Sequence, residues 1–223
     1  MSTRRHIEII FDRSGSMSSI ASDAEGGLRA FLETQAKVPG DTTVSLTTFN
    51  HEVTVEYEMQ PLAQVPAFTL TPAGTTALLD AVGGRLEAIP MRLLQLPASD
   101  RPEEVIFVIA TDGYENASRH YGLRHIRAQV ATARMAGWQF VFLAADESAF
   151  TAGDAMGIHR DTVLPFDRNR IEDSMTSAGH VIAEGSRTGT FTFTDEQRTG
   201  ALTKSPRSES SESEPPESGP SQT

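Results

Sequence analysis

The chain has 223 residues, a formal net charge of −11 and no cysteine. This length is enough for one sizeable domain with a two-sided core. The cysteine count excludes disulfides, zinc–thiolate sites and cysteine nucleophiles. The acidic balance argues against a nucleic-acid-binding protein, which would be expected to have a basic face.

The N-terminal stretch MSTRRHIEIIFDRSG predicts neither a leader nor an anchor. Its apolar run is short and is interrupted by Glu8, so it does not resemble the core of a signal peptide. No run in the sequence approaches the ~20 apolar residues that a membrane-spanning helix needs. We therefore expect a soluble, cytoplasmic protein without a membrane partner.

Strand-like and helix-like segments alternate along the first 184 residues. The strand predictions rest on β-branched or continuous apolar runs, and the helix predictions rest on apolar residues at helical spacing. In chain order they are the strand HIEIIF, the helix SDAEGGLRAFLETQAKV, the strands TTVSLTTF and EVTVEYEM, the helix TTALLDAVGGRLEAI, the strand EVIFVIATDG, the helix HYGLRHIRAQVATARMAG, the strands WQFVFLAAD and DTVLPF, and the helix NRIEDSMTSAGHVIAEGS. Ser22 is the predicted cap of the first helix.

This order predicts an α/β fold. TTVSLTTF and EVTVEYEM, joined by Asn50-His51, predict a hairpin, the one antiparallel element. The run EVIFVIAT is typical of a strand that is buried on both faces, as in a parallel sheet covered by helices. We therefore expect a central, mostly parallel sheet of about six strands with one antiparallel edge strand, and helices on both faces joined by right-handed crossovers.

The predicted domain covers residues 5–184, and the pattern changes after it. Residues 185–203 predict no clear element and form an uncertain C-terminal extension. Residues 204–223 are rich in serine, proline and glutamate and contain no large apolar side chain. Such a composition cannot offset the entropy cost of ordering, so this tail is predicted to be disordered.

Three polar clusters fall where the predicted topology would bring loops together. Asp12, Ser14 and Ser16 follow the first strand, Thr75 opens a helix, and Asp112 follows the central strand. In open α/β sheets, ligands bind outside the carboxyl ends of the strands. Two carboxylates and three hydroxyls form an all-oxygen set, and hard cations such as Mg²⁺ prefer oxygen ligands.

The loop DRSGSM also permits other interpretations. Asp and Ser frequently cap turns, so a purely structural turn is one of them. A hydrolase is another, although neither Ser14 nor Ser16 has the G-x-S-x-G flanks of a nucleophile elbow, and a P-loop would need a Gly-Lys-Ser/Thr run. Phosphotransferases of the haloacid dehalogenase type also place an aspartate after the first strand, but Ser14 stands where they have a second aspartate.

The motifs DRSGS, AGT and TDG, in this order on a β/α alternation, resemble the von Willebrand factor A domain and its metal-ion-dependent adhesion site. The resemblance implies the Rossmann-like fold of that family over residues 5–184. It also implies that Ser14, Ser16 and Thr75 bind Mg²⁺ through their hydroxyls, and that Asp12 and Asp112 bind it directly or through water. Mn²⁺ and Ca²⁺ are alternative ions.

The same resemblance implies a protein-binding function without catalysis. In the family, the remaining coordination position is commonly taken by an aspartate or glutamate of a partner protein. A metal-dependent phosphohydrolase and a scaffold whose metal is only structural are the two alternatives to this function.

Overall fold

The computed structural model describes residues 3–203. The predicted disordered tail, residues 204–223, lies outside the described residues. The strands are β1 (Arg4–Asp12), β2 (Asp41–Phe49), β3 (Val53–Pro61), β4 (Glu104–Thr111), β5 (Gln139–Ala145) and β6 (Val163–Phe166). The helices are α1 (Ala21–Gln35), α2 (Leu78–Gln95), α3 (Leu123–Met135), α4 (Ser148–Met156), α5 (Ile171–Thr188) and α6 (Asp195–Leu202).

The six strands form one sheet in the order β3-β2-β1-β4-β5-β6. β2 and β3 pair antiparallel, and the other neighbouring strands pair parallel. The predicted fold class, a mostly parallel six-stranded sheet with one antiparallel edge strand and flanking helices, is thereby confirmed. Strand order reverses between β1 and β4, because the chain leaves β1 toward β2 and leaves β4 toward β5. Loops that leave in opposite directions open a crevice at the carboxyl edge of these two strands.

Two apolar cores lie on opposite faces of the sheet. Alternation along β1 sends Ile9 into the core shared with α1 and α5, and sends Ile10 into the core shared with α2, α3 and α4. The strands in the middle of the sheet are covered on both faces, which is why β4 reads as a nearly continuous apolar run. In residues 3–203 no helix is long and apolar enough to cross a membrane.

The structure differs from the predicted elements in four places. Ser22 is not a cap, because a 3₁₀ segment, Gly15–Ile20, leads directly into α1 at Ala21. α2 begins at Leu78 and continues through Pro90 to Gln95. The sequence prediction has no helix between the last two strands, where α4 provides the crossover that two parallel neighbours require. Finally, the uncertain extension contains the end of α5 and the whole of α6.

Candidate metal centre

Two buried aspartates lie at the crevice. Asp12 is the last residue of β1, and Asp112 directly follows β4, the neighbouring parallel strand. Asp12 is 0% exposed and Asp112 is 4% exposed. The sheet therefore brings together two carboxylates that are a hundred positions apart in sequence.

The two predicted serines connect these carboxylates. The backbone N–H of Ser14 donates to Asp12 Oδ1 over 2.6 Å, and Ser14 Oγ lies 3.0 Å from Ser16 Oγ. The Ser16 hydroxyl donates to Asp112 Oδ1 over 2.6 Å. The D-x-S-x-S spacing thus turns both hydroxyls toward the same point, and the structure brings Asp12, Ser14, Ser16 and Asp112 together.

The structure places Thr76, rather than the predicted Thr75, at the cluster. Thr75 is exposed, whereas Thr76 is 3% exposed. A methyl group placed on Gly113 would lie 3.1 Å from Thr76 Oγ1, 3.6 Å from Ser16 Oγ and 3.8 Å from Asp12 Oδ2. The Thr76 hydroxyl therefore faces the cluster, and Thr75 stands on the solvent side of the loop.

Two asparagines explain why Thr76 points inward. The backbone N–H of Thr76 donates to Asn116 Oδ1 over 2.9 Å, and its carbonyl accepts from the N–H of Asn116 over 3.0 Å. Asn50, which follows β2 and is 1% exposed, accepts from the N–H of Ala77 and donates its side-chain amide to the carbonyl of Ala73. Both residues position the threonine without facing the cluster, and the sequence analysis missed them because each acts through backbone groups of a distant segment.

Close backbone approach joins the first two loops of the site. The N–H of Gly15 donates to the carbonyl of Gly74 over 3.0 Å. Gly74 has a φ of +74°, and a Cβ there would lie 2.3 Å from Nδ1 of His51. Gly74 is therefore required by both its backbone conformation and its surroundings.

Burial makes this cluster unfavourable for negative charge. The pKa of Asp12 is raised above its usual value, chiefly by burial; the hydrogen bonds from the Thr111 hydroxyl (2.6 Å) and from Ser14 act in the opposite direction. The nearby charge of Asp112 raises it further. Thr111, the last residue of β4, is another contributor that the sequence analysis did not identify.

One carboxylate oxygen of the cluster is buried without a hydrogen bond. Asp112 Oδ2 has no hydrogen-bonding partner among the described residues. Nη2 of Arg168 forms an ion pair with it over 3.3 Å and donates a hydrogen bond to the backbone carbonyl of Asp112, 2.9 Å away. Apart from this ion pair the oxygen accepts no hydrogen bond, and a cation bound at the cluster would supply a further partner.

The donor set fits a hard divalent cation. Thr76 Oγ1, Ser16 Oγ and Asp12 Oδ2 lie around the position that a methyl group on Gly113 would take, and Ser16 also contacts Ser14 Oγ and Asp112 Oδ1. Within residues 3–203, no group of three or more histidine, aspartate and glutamate side chains offers another metal site. The mixed carboxylate and hydroxyl cluster is thus the candidate metal centre of the described chain.

An apolar pocket of about 270 Å³ opens beside the cluster. Asp112 and Gly113 line one side of it, and the apolar lining comes from α2, α3, β5 and α4, including Leu78, Leu123, Phe142, Ala144 and Met156. The crevice therefore combines a polar cluster with an apolar neighbour, which is the usual composition of a recognition site.

Comparisons with known proteins give matches among solved structures. No protein-family model and no curated protein matches the sequence. One match is the proximal thread matrix protein 1 from the mussel byssus, in a structure with a zinc-occupied MIDAS motif, the metal-ion-dependent adhesion site named above. It is 16% identical to this chain with a TM-score of 0.58, and the match covers 82% of this chain and 46% of that one. The von Willebrand factor type A protein from Catenulispora acidiphila is 13% identical with a TM-score of 0.53, over 79% and 42% of the two chains.

A third neighbour is the ArnB paralog VWA2 from Sulfolobus acidocaldarius, at 18% identity and a TM-score of 0.51, over 80% of this chain and 46% of that one. This chain spans less than half the length of each of these neighbours. At these identities the likeness concerns the fold. The chain has the von Willebrand factor A fold, a Rossmann-like sheet between two layers of helices.

Proposed function

We propose that this domain is a metal-dependent protein-binding module. Mg²⁺ is held by the hydroxyls of Ser14, Ser16 and Thr76, with Asp12 and Asp112 as direct or water-mediated ligands. An aspartate or glutamate of a partner protein completes the coordination. The observation that carries this proposal is the buried Asp112 Oδ2, which accepts no hydrogen bond from the described residues, within an all-oxygen cluster.

The charge of the cluster supports carboxylate binding. Two aspartates just neutralise a divalent cation, so the cation stays a good acceptor for a further carboxylate. When bound, the metal supplies a coordination position for that carboxylate. The chain's own residues orient the position: Ser16 is fixed by Asp112, and Thr76 is fixed by Asn116. The zinc-occupied motif of the mussel protein supports a divalent cation at a site of this kind.

The surroundings of the cluster supply specificity. The apolar pocket beside Asp112 and the exposed ring of Tyr114 lie next to the position that a partner carboxylate would reach. Water leaves Mg²⁺ reluctantly, so contacts outside the metal must contribute to affinity. We infer that the partner presents an acidic side chain next to an apolar one.

The test is capture on the immobilised chain in Mg²⁺, followed by elution with a chelator. Ser14→Ala/Ser16→Ala is the comparison, with its fold checked by circular dichroism. We expect proteins that bind the wild-type chain, leave with the metal and do not bind the variant. The same proteins on both chains, retained through the chelator, would contradict the proposal and favour a structural metal. Turnover of p-nitrophenyl phosphate that is lost in Asp12→Ala would favour the phosphohydrolase instead.

A further inference from the structure

We propose that Arg168 changes its partner when the metal centre is loaded. In the metal-free chain its guanidinium pairs with Asp112. When a divalent cation takes over that carboxylate, the guanidinium binds the carboxylate that the partner protein brings to the metal. This inference rests on the proposed function, and it adds to the proposed metal ligands a residue that determines which ligand the centre accepts.

The ion pair with Arg168 uses the oxygen of Asp112 that the cluster leaves over. The Ser16 hydroxyl donates to Asp112 Oδ1, whereas Oδ2 lies 3.3 Å from Nη2 of Arg168. Within residues 3–203, no other cationic side chain forms an ion pair with Asp112 or with Asp12. Arg168 therefore supplies the positive charge that balances the Asp112 carboxylate in the absence of metal.

A divalent cation and this guanidinium compete for the same carboxylate. Two cations that share one carboxylate repel each other, and water and salt screen the repulsion poorly where the carboxylate is buried. Asp112 is 4% exposed. A cation at the centre therefore weakens the ion pair of Arg168, and the guanidinium in turn lowers the affinity of the centre for the cation.

The backbone of Arg168 is fixed, whereas its side chain is half-exposed. Arg168 begins a short 3₁₀ segment, Arg168–Arg170, just after β6. The side chain of Asp167 accepts from the N–H of Asn169 over 2.9 Å, and the N–H of Asp167 donates to the carbonyl of Ala201 over 2.8 Å. The side chain of Arg168 is 46% exposed. A change of partner therefore needs rotation of this side chain only, without movement of the main chain.

Two interactions keep the guanidinium at the crevice after the exchange. Nη2 of Arg168 donates to the backbone carbonyl of Asp112 over 2.9 Å, and this neutral acceptor does not depend on the charge of the carboxylate. The pKa of Asp146, which directly follows β5, is lowered chiefly by a hydrogen bond with Ser148 and further by the nearby charge of Arg168, while burial acts in the opposite direction. Arg168 thus lies near the carboxylates at the ends of β4 and β5, and it stays there when a metal takes one of them.

The remaining donors of Arg168 suit an incoming carboxylate. A guanidinium has five N–H groups, and within residues 3–203 only Nη2 of Arg168 donates a hydrogen bond to the protein. Guanidinium and carboxylate groups pair through short, charge-assisted hydrogen bonds that are directional. A carboxylate of the partner can therefore contact the metal and the guanidinium together, whereas a neutral oxygen ligand such as an amide gains little from the guanidinium charge.

The test measures two ligands on full-length variants. One variant is Arg168→Gln. The matched control is Arg170→Gln, which removes the same charge from the same 3₁₀ segment, at an arginine that pairs with Asp173. Mn²⁺ affinity is measured by calorimetry. Acetate is the carboxylate probe, and its affinity for the Mn²⁺-loaded chain is measured from the paramagnetic relaxation of its methyl protons. Circular dichroism checks the fold of both variants.

We expect Arg168→Gln to bind Mn²⁺ at least about threefold more tightly than the wild-type chain, because a competing cation is removed. We expect the same variant to bind acetate at least about threefold more weakly, because the carboxylate loses its second contact. Arg170→Gln should stay within about twofold of the wild-type chain for both ligands. Opposite changes for the two ligands distinguish this role from a structural one, which would weaken both.

Equal effects of the two variants would overturn the inference, since the loss of a charge anywhere on the segment would then explain them. So would Mn²⁺ affinity that falls or stays the same in Arg168→Gln, because Arg168 would not compete with the cation. Tighter Mn²⁺ binding with unchanged acetate affinity would also overturn it, since Arg168 would then have no part in carboxylate binding. Mn²⁺ affinity that is equal in the wild-type chain and Asp12→Ala is a separate result, and it would overturn the proposed function itself.

Discussion

Thr76 is the residue through which the loop before α2 reaches the candidate metal centre. Its hydroxyl faces Ser16 and Asp12, while the side chain of its neighbour Thr75 is exposed. Adjacent threonines of identical chemistry thus provide an internal control for the site.

We expect Thr76→Ala to lower Mn²⁺ affinity by at least about tenfold and Thr75→Ala to leave it within about twofold. A hydrogen-bonding group that acts on a charged species contributes on the order of 1.5–3 kcal/mol, and about 1.4 kcal/mol corresponds to a factor of ten. Calorimetric titration with Mn²⁺ measures both variants. A larger loss in Thr75→Ala than in Thr76→Ala would show that the loop turns the other hydroxyl inward.

A second buried charge cluster lies in the body of the domain. Glu8 on β1 is 0% exposed, and its Oε1 accepts from Nε of Arg85 over 2.7 Å. Arg85, on α2, is 5% exposed and also donates to Glu58 on β3 over 3.0 Å. These three residues thereby join the central strand β1, the edge strand β3 and the helix α2.

We expect Arg85→Met to lower the free energy of unfolding by about 3–5 kcal/mol, because it removes the guanidinium that pairs with the buried Glu8 carboxylate and leaves it only the Thr47 hydroxyl and the His6 ring. The double variant Glu8→Leu/Arg85→Met should recover much of that loss, since apolar groups can replace a buried ion pair at little cost. Urea denaturation measures both. If the double variant is no more stable than Arg85→Met, the buried Glu8 carboxylate is not the cause of the loss in the single variant.

At the scale of elements, α1 and α5 pack closely over one face of the sheet. A Cβ added at Gly27 of α1 would lie 2.9 Å from Met175 Cβ and 3.0 Å from Glu172 Cα, both on α5. At Gly84 of α2, by contrast, no heavy atom of the surroundings lies within 4 Å of an added Cβ. Close packing against α5 therefore requires a glycine at position 27, whereas nothing around Gly84 requires one.

We expect Gly27→Ala to destabilise the domain by about 1–3 kcal/mol, because it forces the two helices apart. Gly84→Ala should be neutral or stabilise it by up to about 1 kcal/mol, since alanine is the better helix former. The midpoints of urea denaturation give the comparison. Equal effects at the two positions would mean that α1 and α5 can shift without loss.

Sequence alone predicts best the elements whose buried residues form a regular local pattern of apolar side chains. β4 is a nearly continuous apolar run because both faces of the middle of the sheet are covered, and this signal is local. α4 escaped prediction because SAFTAGDAM is short and rich in small residues, so its spacing carries little signal. α6 escaped for a similar reason, since its stability depends on packing against β6.

The residues of the candidate metal centre also fall into two groups, those that local sequence identifies and those that tertiary contacts determine. Asp12, Ser14, Ser16 and Asp112 follow from strand ends and local spacing, both of which are visible in the sequence. The choice between Thr75 and Thr76 depends on hydrogen bonds from Asn50 and Asn116, which lie in other loops. Contacts of this kind are set by the tertiary arrangement, so no local pattern could have identified them.

At the scale of the whole molecule, the buried Asp12 that would bind the cation lowers the stability of the metal-free fold. Asp12 is buried, and its raised pKa shows that its surroundings disfavour the charged form. A cation that binds only the folded chain stabilises it by mass action. The same carboxylate should therefore destabilise the domain without metal and support it with metal.

We expect Asp12→Asn to unfold at a temperature equal to or above that of the wild-type chain in a chelator, and below it in Mg²⁺. At a Mg²⁺ concentration about 100 times the dissociation constant, binding contributes about 2.7 kcal/mol. For a chain of this size, that raises the wild-type melting temperature by roughly 5–10 °C. Thermal scans by circular dichroism, at matched ionic strength with and without Mg²⁺, measure both proteins. An equal Mg²⁺-induced rise in the melting temperature of the two proteins would place the cation away from Asp12. A rise in the wild-type chain alone would show that the cation stabilises the fold by binding at the centre at the carboxyl ends of β1 and β4.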